Sequence, residues 1–347
     1  MNFTPSGRFG KLQTVKHLTI FLAACLPFLL LGEAASRRFT PPTPLGEAAS
    51  RRFTSSPFAK LGPAANLPYP DGHVLALQIC LDRRGFSANA LDGRCGRKTD
   101  VALATYCAVR QIPCPDRGWQ AKAWETLFPG ETNLFTTVIV TPEDRRAIVR
   151  IPRAPAEKAK LPKLGYQSLL EMYAERGHLA EATLRALNPG VRWPNPPIGT
   201  VIQIPYFPPP PPKPRVLADV LRVSLARREI TAFDAQGRML ALFPCSIAAK
   251  NDKRPPTGEV QVISLVPDPV YPYTSDTGSK YIYQPGPNNP VGLAWIGLSF
   301  PKDYGIHGTP WPEQIGRAES HGCFRLSNWN AVRLRELCNI GTSVVIE

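Results

Sequence analysis

Five consecutive prolines, Pro208 to Pro212, with a sixth at Pro214, divide this 347-residue chain more sharply than any other feature. Proline lacks a backbone N–H and its ring fixes φ, so such a run joins neither a helix interior nor a central strand. It takes the extended polyproline II form, about 3.1 Å per residue. The stretch 207–215, "FPPPPPKPR", therefore reads as a stiff spacer, and the chain is long enough for two or three cores on its two sides. Charge divides at the same place. The formal net charge is +14, yet from Val216 to Glu347 there are 13 Lys+Arg against 12 Asp+Glu, a net of +1. The basic excess lies upstream, where it suits an anionic partner (wall polymer, membrane or nucleic acid) or serves only as a solvated surface.

The first residues read as an export signal spanning 1–35. Arg8, Lys11 and Lys16 precede the apolar run "LTIFLAACLPFLLLG", and the small residues of "EAAS" follow, with cleavage expected between Ala34 and Ser36. The run is too short to favour a permanent membrane helix. "LAAC", ending at Cys25, resembles a lipidation site, and a membrane anchor follows only if Cys25 carries lipid. The decapeptide "LGEAASRRFT" occurs twice, at 31–40 and 45–54, which marks 36–72 as a low-complexity, disordered linker. Export to the periplasm or cell wall changes how cysteines are read, because thiols pair in an oxidising compartment. Removing Cys25 leaves seven. Pairing Cys80, Cys95, Cys107 and Cys114 among themselves, and Cys245 with Cys338, leaves Cys323 as the odd thiol.

Two small modules are expected upstream of the prolines. In 73–130, "VLALQICLDRRGFSANALDGRCGRKTDVALATYCAVRQIP" gives an apolar helical stretch, a turn at "DGRCG" and a second helix starting near Thr99, with Val101, Ala102, Ala104 and Tyr106 supplying a buried face. On Leu77, Gln78, Gly85, Asp92, Gly93, Gly96, Thr99 and Ala102 the stretch resembles the three-helix, all-α peptidoglycan-binding domain. A small helical domain without glycan affinity is the plainer alternative. After a linker at 131–164, residues 165–206 offer two helical stretches ending at "LNPG" and a strand, "GTVIQIP". Leu187, Asn188, Pro189, Gly199, Ile202 and Pro205 make this segment similar to the α+β LysM module, which recognises N-acetylglucosamine polymers. A plain helical hairpin is the alternative reading.

From Val216 onward, 216–347, the texture is β-rich. "LRVSLARREITAFDA", "MLALFPCSIAA", "GEVQVISLV" and "TSVVIE" are strand-like, with turns at Gly237 and at Pro255 to Gly258, and one helix is expected near the end, from Trp329 to Cys338. The chemistry concentrates just before that helix. Only five histidines occur in the chain, and His307 and His321 bracket a loop that ends in Cys323. A cysteine nucleophile needs a base to generate thiolate, and the base needs its own orienting acceptor. Gly322 permits close backbone approach, the "HGC" turn can aim N–H groups at a developing oxyanion, and Arg325 can hold a thiolate or grip a carboxylate. Three readings stand on these residues alone: nucleophile and base, a zinc site without an evident fourth ligand, or a structural thiol.

The stretch "YGIHGTPWPEQIGRAESHGCFRLSN" closely resembles the active-site segment of the L,D-transpeptidase (YkuD-type) catalytic domain, and the likeness covers Val216 to Glu347 with "PPTGEV" as its Pro-Thr-Gly turn. The resemblance implies a mostly β catalytic domain with a late helix, so that the whole chain is multidomain. It implies Cys323 as nucleophile and His307 as general base and acid. Ser320, His321, Gly322, Arg325 and Gly308 shape the site and its oxyanion hole, and Asn328 braces the loop. Asn330 stands where an aspartate is common and Pro255 where a threonine is common. No cofactor, metal or nucleic acid is implied. The implied substrates are peptidoglycan stem peptides on their glycan strands: a tetrapeptide donor loses its terminal D-Ala to a thioester, and a second stem's amine takes the acyl group. Carbapenems acylate such enzymes. Water as acceptor makes the same site an L,D-carboxypeptidase, a lipoprotein lysine makes it an attachment enzyme, and a silent site leaves a wall-binding scaffold.

Overall fold

The computed structural model describes residues 72–114, 126–208, 216–249, 257–300, 304–320 and 322–347. The expected signal, its Cys25, the duplicated decapeptide, Pro255 and His321 lie outside these residues, as does most of the proline spacer.

Upstream of the spacer, helices α1 (Gly72–Arg83) and α2 (Arg97–Arg110) flank the turn around Gly93, and α3 (Leu169–Arg176) and α4 (Glu181–Leu187) form the second helical pair. Ser168 caps α3, its hydroxyl accepting from the Glu171 N–H at 3.1 Å, as an N-cap serine does. The expected linker 131–164 is structured where it is described. Strand β1 (Phe135–Ile139) pairs antiparallel with β2 (Val201–Pro205), in register from Phe135↔Pro205 to Ile139↔Val201. Thr136 and Thr137 with flanking apolar residues favour a half-buried strand over a free connector. Leu75, Leu81, Leu103, Leu127, Phe128, Val140, Tyr173, Leu184 and Ile202 fall in one apolar cluster, so the two expected modules and the stretch between them share a core.

Beyond the spacer the chain is a strand-rich domain. "LRVSLARREITAFDA" makes the hairpin β3 (Val220–Ser224) and β4 (Glu229–Phe233), turning through Arg228 at φ 59°. Gly237, at φ 73°, then turns the chain into β5 (Met239–Pro244), a left-handed conformation that glycine adopts freely. There follow β6 (Ile247–Ala248), β7 (Gly258–Pro267), β8 (Tyr271–Thr274), β9 (Lys280–Tyr283), β10 (Ala294–Leu298), β11 (Gly305–His307), β12 (Ala318–Ser320), β13 (Phe324–Arg325), helix α5 (Asn328–Leu337) and β14 (Ser343–Ile346). Eight of them form one mixed sheet in the order β13-β11-β10-β7-β14-β3-β4-β5. The pairs β11–β13 and β14–β3 are parallel and the others antiparallel. The sheet curls so far that Ser246, just past β5, exchanges two 2.9 Å backbone hydrogen bonds with Arg325 on the opposite edge strand. The closed face packs Leu221, Val223, Phe243, Ile296, Ile306 and Phe324 against Ala331 and Leu334 of α5. The late helix begins one residue before the expected Trp329.

The helical layer docks on this domain through backbone and side chains. Ser87 N–H donates to the Leu242 carbonyl and Leu242 N–H to that of Gly85, both at 2.9 Å, so β5 gains a bridge from outside its sheet. His178 stacks between Phe207, at 4.1 Å, and Trp329 of α5, at 5.1 Å, while its Nδ1 meets Asp82 at 2.7 Å. Asn330 is buried and donates through Nδ2 to Ser87 Oγ at 2.9 Å. The asparagine at a position where the resembled family commonly has an aspartate is therefore a docking contact in this chain.

The expected disulfide pairing is corrected here. Cys80, Cys107, Cys114, Cys245 and Cys338 carry free thiols. Cys80 and Cys107 pack in the helical core, Cys245 and Cys338 in the sheet core, where cysteine behaves as a small apolar side chain. Burial pushes the Cys80 and Cys338 thiols up to about 12 and raises Cys245 as well. Counting cysteines treats all of them as bridge candidates, whereas core packing takes Cys80, Cys245 and Cys338, and Cys107 meets the exposed Cys114 through a hydrogen bond.

Candidate active site

Two short parallel strands set the site. β11 and β13 pair with Ile306 opposite Phe324 and His307 opposite Arg325. Residues paired across two strands share a face, so His307 and Arg325 point the same way, and Cys323 sits in the bend that leads into β13. Cys323 is half-buried and follows the buried Gly322. Its charge also acts on the Tyr271 hydroxyl, which burial first and Cys323 next push upward, so the β8–β9 hairpin stands beside the thiol. That hairpin carries a stack of tyrosines, with Tyr273 and Tyr283 at 5.1 Å and Tyr271 and Tyr283 at 6.3 Å.

His307 is held on three sides. It is 7% exposed, its ring stacks on Trp295 at 5.7 Å, and its Nδ1 lies 2.6 Å from the Gly308 carbonyl oxygen. A carbonyl can only accept, so Nδ1 carries the hydrogen and Nε2 keeps its lone pair. Burial, only partly opposed by the Gly308 bond and helped by the Arg325 charge, brings the imidazole down to about 4. At neutral pH the ring is therefore an uncharged base of fixed tautomer.

Gly308 is itself wedged. A Cβ on it would lie 2.4 Å from Asn328 Oδ1, and one on Gly292, at φ +61°, would lie 2.0 Å from the same atom. Asn328 is fully buried at the start of α5. Its Oδ1 accepts the Leu293 N–H at 3.3 Å, and its Nδ2 donates to the Pro287 carbonyl at 3.1 Å and to Glu175 at 2.8 Å. Among the described residues, no three His, Cys, Asp or Glu side chains are placed to share a metal ion.

The family model of the YkuD L,D-transpeptidase catalytic domain matches residues 218–346. Three curated proteins bearing the L,D-transpeptidase name are similar. YqjB of Bacillus subtilis is 36% identical over 101 residues, 28% of this chain and 54% of that protein. A Fuscovulum blasticum protein, ORF 5 of the ATP synthase subunits region, is 33% identical over 138 residues, 38% of this chain and 68% of its own length. YkuD of Bacillus subtilis is 30% identical over 135 residues, 39% of this chain and 70% of its own.

The chain belongs to the YkuD-type L,D-transpeptidase family.

In this L,D-transpeptidase domain the structure brings together His307 and Arg325 on one face, with Gly308 and Asn328 behind the histidine and Cys323 immediately before β13. Ser320 ends β12, which pairs in parallel with β6. Sequence reasoning missed Trp295, Tyr271, Gly292 and Glu175. Trp295 sits directly across β10–β11 from His307, so a tryptophan on the strand next to a motif histidine was the available signal.

Proposed function

We propose that this chain is an exported peptidoglycan L,D-transpeptidase that cross-links stem peptides through a Cys323 thioester. The observation that carries the reading is the state of His307: a neutral imidazole whose Nδ1–H is committed to Gly308, leaving Nε2 for the Cys323 proton. The Cys323 thiol passes its proton to Nε2, and the sulfur attacks the carbonyl carbon of the donor amide, between the third residue and the terminal D-Ala. The carbonyl oxygen takes the negative charge, against backbone N–H groups of the Gly322–Cys323 turn and the positive charge of Arg325, with Ser320 and His321 of the resembled motif assigned to the same oxyanion role. Collapse expels D-Ala, whose amine takes the proton back from His307, and leaves the thioester. The acceptor amine then attacks the thioester, gives its proton to Nε2, and the sulfur leaves as the thiol. The chain's modules at 73–130 and 165–206 bind wall glycan in this reading and raise the local stem concentration; their resemblance to wall-binding folds supports it. The leader delivers the enzyme to the periplasm or wall, with a lipid anchor if Cys25 is acylated.

The test is incubation of the purified full chain with disaccharide tetrapeptide, followed by mass analysis. Dimers with one D-Ala released per dimer are expected. Tripeptide monomer alone makes the enzyme a carboxypeptidase, and no turnover by the wild type removes the catalytic reading.

A further inference from the structure

The helical layer places a half-buried carboxylate behind the histidine, and neither the family's motif nor the proposed chemistry uses it. Glu175 lies in the last turn of α3. Its Oε2 accepts from Asn328 Nδ2 at 2.8 Å, and its Oε1 accepts from the Tyr166 hydroxyl at 2.9 Å. The first of these bonds spans 153 residues and joins the two cores. Asn328 has no slack, because both Nδ2 hydrogens are donated and Oδ1 is filled by Leu293 N–H. That Oδ1 also abuts Gly308, whose carbonyl fixes the histidine's tautomer and tilt. Three contacts thus lead from α3 to the ring: Glu175 to Asn328, Asn328 to Gly308, and Gly308 to His307.

We propose that Glu175 is a positioning residue for His307, through which the helical layer sets the geometry of the cysteine–histidine pair. The inference rests on reading Cys323 and His307 as nucleophile and base. Burying a carboxylate is costly unless its hydrogen bonds are met, and an apolar side chain would fill the same space at less cost. What the carboxylate adds is direction, since it offers acceptors to Asn328 and Tyr166 at once and so fixes the asparagine's orientation. The charged or titratable groups facing it are the Tyr166 hydroxyl and the Glu171 carboxylate, the latter held by Asn288; Arg176 acts on Tyr166 from the next position and bonds Asp144. Burial first, then the charge of Glu171, raise Glu175 to about 7 against the two hydrogen bonds it accepts. Once protonated, Glu175 turns its O–H to Tyr166, its other oxygen accepts from Asn328 without the negative charge, and the Asn328 anchor weakens. The histidine's alignment then depends on pH near neutrality, a range in which His307 itself does not titrate.

The experiment uses the full chain and ertapenem as the acylating probe, with rates followed by intact mass from pH 5.5 to 8.5 and thermal midpoints measured in parallel. Glu175→Ala is expected to slow acylation by roughly 10- to 100-fold, the scale of an ångström-sized misplacement of a catalytic group. Glu175→Gln, whose amide accepts from Asn328 and donates to Tyr166 as the protonated carboxyl would, is expected to acylate at every pH at the rate wild type shows below pH 7, and so to lose the inflection near pH 7. Arg333→Leu is the docking control: Arg333 bonds the Asp82 and Arg83 carbonyls and takes no part in the Glu175–Asn328–Gly308 chain of contacts. It is expected to lower the midpoint while leaving the rate within about twofold. Equal rate losses for Glu175→Ala and Arg333→Leu, or a wild-type inflection that persists in Glu175→Gln, overturn the proposal. If Glu175→Ala does not fold, the glutamine variant's pH profile still decides. A wild type that ertapenem never acylates overturns the underlying cysteine–histidine reading instead.

Discussion

Replacing Gly308 with alanine tests whether the histidine's orienting carbonyl is held as tightly as the geometry requires. The new Cβ would lie 2.4 Å from Asn328 Oδ1, 3.2 Å from the Leu293 nitrogen and 3.3 Å from the Gly292 Cα. Ordinary carbon–oxygen contact is about 3.5 Å, so the overlap with Oδ1 is about 1 Å. Asn328 cannot retreat without breaking its bonds to Leu293, Pro287 and Glu175. Gly308 therefore moves, and its carbonyl moves with it. Overpacking of this kind costs about 1–3 kcal/mol, which for a domain of this size lowers the melting temperature by roughly 2–12 °C. A displacement of about 1 Å at a group that aligns a catalytic base costs on the order of 100-fold in rate. The assay is the acylation rate at pH 7.5 and 20 °C, well below the variant's transition, alongside a thermal melt. An alanine variant that acylates within threefold of wild type and melts at the same temperature refutes the wedge and the role assigned to Asn328.

Other outcomes follow from the same coordinates. His307→Gln is expected to lose about 10²–10⁴-fold in acylation while remaining folded, and a loss under fivefold would remove His307 as the base. The same variant reports on pH. The folded histidine titrates near 4 against 6.5 unfolded, so its stability contribution is lost as pH falls through that window, by up to about 3 kcal/mol. Glu175, raised to about 7, acts in the opposite sense, its contribution being lost as pH rises through 7. Wild type should therefore lose more melting temperature between pH 6.5 and 4.5 than His307→Gln, and equal losses would contradict the burial argument. Reducing agent should leave the melting temperature unchanged, and thiol reagents at pH 8 should spare Cys80, Cys245 and Cys338; a fall of several degrees would restore the Cys245–Cys338 bridge. Ser87→Ala removes the acceptor of the buried Asn330 amide and should cost about 1–3 kcal/mol, read as a drop in melting temperature of a few degrees.

How far the sequence reveals this protein depends on the range of the contacts. The "IHGTPW" and "SHGC" stretches, with the proposed base His307 and the proposed nucleophile Cys323, can be read from sequence because each keeps its residues within a short run. The hairpin β3–β4 and helix α5 are legible because their apolar periods are regular. Strands β8 and β9 are not, because "YPYT" and "KYIY" are short and flanked by turn residues, and the proline of the first weakens any strand assignment. Strands β11 and β13 have three and two residues and exist through their neighbours, below the length at which period can be read. Glu175 was invisible for a different reason: on a helix it resembles any other solvent-facing charge, and only tertiary packing buries it beneath Asn328. The cysteine reading went astray because pairing arithmetic assumes that thiols seek each other, whereas Cys245 and Cys338 each fill apolar space of their own.

The central claim is that Cys323 is the acylated atom and that His307 readies it. Intact-mass analysis of wild type and Cys323→Ala after exposure to a carbapenem tests it most directly, followed by peptide mapping of any adduct. A single adduct on wild type, mapped to Cys323 and missing from Cys323→Ala, is the predicted result. An adduct on both proteins, or one mapped to another cysteine, contradicts the account.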